Sequence, residues 1–176
     1  MRKKLNLGCG KDIQKDYINL DCVNLNGVDI IHDLTSLPLP FDNEMFDEVL
    51  CKDVLEHFDY IPVLKDIQRI LKPGGKLYIQ VPHFTSQDAY ADPTHQRFFS
   101  IHTFHYFIDI DPRSYYFDFH FSSVEKIHIT FLKMPSQFYN HLIELLVNQN
   151  KKTQNYYEKS PLRFFPAWNL NVVLVK

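Results

Sequence analysis

Lys4-Leu5-Asn6-Leu7-Gly8-Cys9-Gly10, followed after ten further residues by Asp21 at the end of Tyr17-Ile18-Asn19-Leu20-Asp21, is the stretch that decides the fold. An apolar strand running into Gly8-Cys9-Gly10 can bring its backbone unusually close to a ligand, because glycine has no Cβ and tolerates positive φ. In open parallel sheets ligands gather at the carboxyl ends of strands, beside the switch in strand order. An acid closing the next strand, Asp21, is then placed to accept both hydroxyls of a ribose. Asp33 closes the apolar run Val28-Asp29-Ile30-Ile31-His32-Asp33 and can accept from an adenine amino group, with Leu34 as apolar contact to the base.

Outward from that turn, short apolar runs alternate with helical or loop segments, the pattern of βαβ units and a mostly parallel sheet. Residues 46–51 read as a fourth strand. Over 60–71, Leu64, Ile67, Ile70 and Leu71 fall at helical spacing, with Pro62 tolerated in the first turn. Pro73-Gly74-Gly75 is expected to end that helix, and residues 76–81 to form a fifth strand. Residues 83–113, rich in histidine, aromatics, aspartate and proline, read as a long acceptor-facing insertion with one short helix near 100–107. Beyond it, 117–131 has strand character, 136–148 reads as an amphipathic helix, 149–160 as a polar loop and 170–175 as a last strand. The expectation is one Rossmann-like, doubly wound α/β domain over residues 1–176.

Composition narrows the classes. The chain has 176 residues, 45% of them hydrophobic and 23% charged, which suits one folded domain with a real core. No apolar run is long enough for a membrane span, and the basic Met1-Arg2-Lys3-Lys4 leads into a strand without a signal-peptide h-region. Net charge is −2 with no dense Lys/Arg block, so nucleic acid is not an expected partner. Cys9, Cys22 and Cys51 are odd in number and form no CxxC pair, which argues against a disulfide framework and suits the cytoplasm.

The runs LNLGCG, YINLD, HDLTSLPLPF, FDEVLCKDVLEHF and ILKPGGKLYIQVP resemble class I S-adenosylmethionine-dependent methyltransferases, and within them the small type-11 group. The likeness covers roughly residues 4–82, with a weaker echo at 92–107. It implies that Gly8, Cys9 and Gly10 line the methionine part of the cofactor, that Asp21 meets the ribose, and that Asp33 and Leu34 flank the adenine. It also implies that Lys52 and His57 lie near the methionine end, although Lys52 stands where small residues are usual. S-adenosylmethionine is the implied cofactor. A nicotinamide-binding fold is disfavoured, because Ile13 occupies the third glycine position of GxGxxG and the acid arrives too early. The expected domain is compact and opens on the first strand of the fold, without the N-terminal lid helices of larger relatives.

Methyl transfer from a sulfonium is an in-line displacement, so alignment is the enzyme's main task. A base is needed only for a hydroxyl or a protonated amine. His95 and His83 are the first candidate bases and His57 the third. Arg97 can clamp an anionic group through its planar fork. Asp92, Tyr90 and Phe98 are expected to help hold the acceptor, Phe99 can join the pocket wall, and Phe104 and Phe107 suit the core. A plainer reading stands beside this one, in which Asp92-Pro93 opens a turn and His95 is held by a carbonyl. His102 and His105 share a helical face, and His83, Asp92 and His95 could add ligands. Without an HExxH or Cys/His signature, however, no metal site is expected. The acceptor is read as a small polar metabolite such as a sugar, nucleotide-sugar or glycan precursor. The alternative is a non-catalytic cofactor-binding or scaffold protein of the same fold. The aromatic share of 15% makes a homodimer plausible.

Overall fold

A computed structural model describes residues 2–134 and 137–176. Met1, and Ser136 at the start of the expected amphipathic helix, lie outside the described residues. Among the described residues seven strands form one sheet: β1 (Lys4–Leu7), β2 (Ile18–Asp21), β3 (Ile30–Ile31), β4 (Phe46–Lys52), β5 (Leu71–Pro82), β6 (Ser123–Ile129) and β7 (Asn169–Val175). Their order is β3-β2-β1-β4-β5-β7-β6. β7 runs antiparallel to both of its neighbours, and every other pairing is parallel. Strand order therefore reverses between β1 and β4, which opens a crevice at their carboxyl ends.

Register places the core. Leu5 pairs with Val49, Val49 with Leu77 and Leu77 with Leu174, so one row of buried aliphatics crosses four strands on one face. Helix α1 (Tyr60–Ile70) adds Val63, Leu64, Ile67 and Ile70 to the same cluster, all at most 1% exposed. Each such side chain contributes roughly 1.5–3 kcal/mol of burial. On the other face, Asn6 and Asn19 take the place of apolar contact. The Asn6 amide donates to Asn19 Oδ1 and to the Asp12 carbonyl, while Asn19 Oδ1 also accepts the Gln14 N–H. These bonds hold the link between β1 and β2 on the sheet without a helix.

Two expectations are corrected. α1 stops at Ile70 and β5 begins at once, with Leu71 buried and paired to Phe46. Pro73 disfavours helical geometry at Lys72, so the helix must end before it. Pro73-Gly74-Gly75 instead forms a bulge in the β4–β5 ladder, pinned by Gly74 and Gly75 bonding to Lys176. The expected loop 149–160 contains α4 (Lys151–Lys159), after two shorter helices, α2 (Asp88–Ala91) and α3 (Asn140–Val147). Asn150 caps α4 through a reciprocal box with Thr153. The buried face of α4 is Gln154, Tyr157 and Glu158, and its polarity hides the helical period from a hydrophobicity reading.

Elsewhere the elements are shorter than their sequence patterns suggest. The third strand keeps two residues, the sixth spans Ser123–Ile129, and the helix expected near 100–107 is a 3₁₀ turn over Thr103–Phe107. All three cysteines are free thiols. Among the described residues no helix is long and apolar enough to cross a membrane.

Candidate active site

The chain leaves β1 through Gly8 and Gly10 with φ of +62° and +49°. A Cβ on Gly8 would lie 2.5 Å from Val54 Cγ2, whereas one on Gly10 would meet nothing within 4 Å. Gly8 is therefore set by close packing, and Gly10 leaves open space beside the strand end. The Gly10 N–H donates to Asp21 Oδ2 at 2.7 Å and the Val23 N–H to Oδ1 at 2.9 Å. Each carboxylate oxygen keeps a further lone pair, so Asp21 can still accept ribose hydroxyls. Cys9 is buried, and burial followed by the charge of Asp21 pushes its thiol up, which keeps it neutral. Asp33 is exposed and caps its own turn through Thr35, while neighbouring Leu34 is buried. Lys52 pairs with Asp12 at 2.9 Å, bracing the loop after Gly10. An open glycine turn, an acid with free lone pairs and a buried leucine fit the adenosyl and methionine parts of the implied cofactor.

Next to this turn lies a cleft of about 790 Å³, lined among others by Asp53, Glu56, His57, Asp92, His95 and Trp168. It opens at the carboxyl ends of β4 and β5, where ligands of such sheets bind. A second cleft of about 770 Å³ borders Asp66, Arg69 and Lys176, beside the end of β7 that pairs with the start of β5. That is the end of the sheet where the parallel strands begin, so the first cleft is the candidate site. Its wall begins immediately after β4. Asp53 adopts φ +54°, an uncommon conformation for a non-glycine residue. It is held there by its N–H on the Gln80 carbonyl and by Gln80 Nε2 on its carboxylate.

The 3₁₀ turn Leu55–His57 then delivers Glu56 and His57. Glu56 is 1% exposed, and its Oε2 has no hydrogen-bond partner among the described residues. Burial pushes its carboxyl up to about 7. The Glu56 carbonyl accepts the N–H groups of Gln96 and Arg97, which ties the 92–97 loop to the turn. His57 and His95 consequently meet edge to face with ring centroids 4.8 Å apart. His57 is pulled down first by burial and then by His95. His95 Nε2 is 4.0 Å from Glu56 Oε1, and its Nδ1 faces the Ala89 carbonyl at 3.4 Å. Asp92 accepts from the Thr94 N–H and hydroxyl, which hold its carboxyl below the usual range. The turn-opening Asp92 and the carbonyl-held His95 thus coexist with a place on the cleft.

Other residues expected at the site lie elsewhere. His83 is fully buried, with Nε2 3.0 Å from Glu158 Oε1 and Nδ1 accepting the Thr85 N–H. Both nitrogens are engaged outside the cleft lining, so His83 joins β5 to α4. Arg97 is about half exposed and faces Asp59 at 3.7 Å. Tyr90 stacks on Phe98 at 4.7 Å, both largely exposed and outside the cleft lining. Phe99, Phe104 and Phe107 belong to the core. His102 bonds Asn155, and His105 faces the Ile101 carbonyl. Glu56 was not singled out from the sequence. Its one signal was its position beside His57 in the turn after the fourth strand.

A methyltransferase-domain family model matches residues 30–79. A stretch of 45 residues is 53% identical to an uncharacterized protein of Methanocaldococcus jannaschii, covering 26% of this chain and 20% of that protein. The chain therefore spans about a fifth of the length of that curated relative. A crystal structure of an S-adenosylmethionine-dependent methyltransferase from Archaeoglobus fulgidus superposes with TM-score 0.60 at 17% identity, covering 99% of this chain and 86% of the other. One from Mesorhizobium loti gives 0.56 at 14%, covering 99% and 90%. The chain has the fold of class I S-adenosylmethionine-dependent methyltransferases. The methyltransferase-domain match at residues 30–79 is of the type-11 group, and the cofactor these likenesses imply is S-adenosylmethionine.

Proposed function

We propose that the protein transfers the methyl group of S-adenosylmethionine to an oxygen or nitrogen of a small polar molecule held in the cleft beside Gly8. The observation that carries this reading is the contact between the two halves of the site. Val54 fills the space that Gly8 leaves, and Glu56 and His57, two and three residues further on, line the acceptor cleft. A methyl donor seated over Gly8 and Gly10, with its ribose on Asp21, would face that cleft. The bound cofactor supplies the electrophilic methyl group. The chain's own residues align the acceptor and take up its proton, and His57, His95 and Glu56 are the titratable groups positioned to do so.

Sugars and sugar nucleotides suit the lining. Asp53, Gln80, Asp92 and Asn169 offer polar partners, and Trp168 presents a ring fixed by its Nε1–H on Asp88 Oδ2 at 2.7 Å. Arg97, Tyr90 and Phe98 would contribute by closing over a bound acceptor, since they sit outside the lining in its absence. The alternative of a non-catalytic scaffold is disfavoured by three titratable side chains gathered on the cleft. A homodimer is also proposed. Leu142, Leu145 and Leu146 of α3 are 59%, 67% and 49% exposed, with Phe138 and Phe164 nearly 80% exposed, an apolar surface suited to a second copy. A monomer in sedimentation at micromolar concentration would remove that part.

The central test is calorimetric binding of S-adenosylhomocysteine to the wild type and to Asp21→Ala. The variant should bind about 10- to 150-fold more weakly, equivalent to roughly 1.5–3 kcal/mol of hydrogen bonds to a charged group. A folded wild type that does not bind overturns the reading. His95→Ala should bind as the wild type does and turn over more slowly across a panel of polar acceptors.

A further inference from the structure

The imidazoles of the cleft have their tautomers set by their neighbours. His57 Nδ1 lies 2.8 Å from Thr94 Oγ1, and that hydroxyl already donates to Asp92 Oδ1 at 2.6 Å. A hydroxyl has one proton, so toward His57 it can only accept. Nδ1 therefore carries the hydrogen and Nε2 the lone pair. His95 Nδ1 faces the Ala89 carbonyl, which is an acceptor only, and the same tautomer follows. Beside the two rings lies the Glu56 carboxyl group, 1% exposed, with Oε2 unpartnered among the described residues. One donor atom from each of the three residues lies within 4.8 Å of the other two.

A buried polar oxygen without a partner is costly, and two imidazoles gathered with it within 4.8 Å make a group that a cation would satisfy. The 4.0 Å between His95 Nε2 and Glu56 Oε1 is too long for a hydrogen bond. It is close to the ~3.3–3.4 Å between ligands of a tetrahedral ion with bonds of about 2.0–2.1 Å, so modest side-chain rotation would close the site. The outer contacts suit this role, since metal-binding histidines donate their second N–H to a carbonyl or to a carboxylate-linked group. We propose that Glu56, His57 and His95 bind one divalent cation of the zinc class, with an open coordination position toward the cleft. This set is distinct from the His102–His105 pair that sequence spacing suggested. Binding of the ion does not depend on the transferase reading. With the ion bound the three side chains act as ligands in place of bases, and any use of its open position on an acceptor rests on the transferase reading.

The experiment is a titration of the full chain, freed of metal by chelation and dialysis, with Zn²⁺ against a chromophoric chelator and with Co²⁺ followed by visible absorption. We expect one equivalent bound, with Co²⁺ bands of a four- or five-coordinate N/O site. Glu56→Gln and His95→Gln should each weaken binding at least about a hundredfold. Thr94→Val, which touches only the outer contact, should weaken it about 10- to 100-fold. His102→Gln should leave it unchanged, and circular dichroism of each variant checks folding. Absence of stoichiometric binding by the wild type overturns the proposal. So does affinity that survives in both folded ligand variants, or that falls with His102→Gln. Metal binding without S-adenosylhomocysteine binding would sink the transferase reading alone.

Discussion

Gly8→Ala tests the packing that joins the glycine turn to the acceptor cleft. The new methyl would stand 2.5 Å from Val54 Cγ2 and 3.1 Å from Cγ1, on a backbone with φ +62°. Two costs follow. Left-handed backbone costs an L-residue roughly 1–2 kcal/mol. Overpacking adds about 1–3 kcal/mol, because Val54 is buried and its branched side chain cannot swing freely. The loss should total about 2–5 kcal/mol. Gly10→Ala separates the two, since its φ is +49° but its Cβ would meet nothing within 4 Å. It should lose only about 1–2 kcal/mol. Urea unfolding followed through the single tryptophan, Trp168, reads both at constant slope. Adding Val54→Ala to Gly8→Ala should recover the clash, with a coupling energy of about 1–3 kcal/mol in the double-mutant cycle. Equal losses at Gly8 and Gly10, or additive behaviour with Val54→Ala, would refute the close-packing account.

Three further outcomes are expected. In chelator-treated protein, Glu56 holds its proton up to about pH 7, while the unfolded chain releases it near the ordinary value of 4.5. The folded state then binds more protons in that window, so stability should fall as pH rises from about 4.5 to about 7, by on the order of 3 kcal/mol, and level off above. Glu56→Gln should abolish the decline in chemical unfolding, and a decline that persists in the variant would discard the assignment. Glu158→Ala strips the acceptor from His83 Nε2 and the Ile101 N–H, both buried. It should cost about 2–5 kcal/mol, whereas a loss under about 1 kcal/mol would show the pair to be dispensable. Thr94→Val should release the Nδ1–H tautomer of His57 in long-range ¹H–¹⁵N spectra and leave His95 unchanged.

The first half of the fold was legible because its signals are local. β1 ends in glycines, β2 ends in an acid, and α1 places four aliphatics on one stripe. The second half was less so, because polar side chains there do the work of an apolar stripe. α4 packs Gln154 and Glu158 inward, and only the Asn150 cap marks its start. At the site, histidine and aspartate drew notice by residue type, yet type does not reveal burial. His83 and His95 look alike in sequence. One is sealed against Glu158, and the other is turned into the cleft by contacts across the chain. Glu56 escaped notice because its character comes from the loop that buries it, some 40 residues later.

That loop lines the cleft at the carboxyl ends of β4 and β5 and buries the Glu56 side chain. Asp53 turns the backbone out of β4 in a left-handed conformation, which aims the following residues across the strand ends. The Glu56 carbonyl then receives two N–H groups, and Gln96 Nε2 bonds the His57 carbonyl at 2.9 Å. These three bonds fix the 92–97 segment over the turn, set His95 against His57, and seal the Glu56 carboxylate from water. Thr94, carried on the same segment, also decides which nitrogen of His57 carries hydrogen. Burial of Glu56 and the placement of both rings therefore depend on one segment. A change that loosens the 92–97 segment would undo both together, while leaving the glycine turn and Asp21, which are built from β1 and β2, in place.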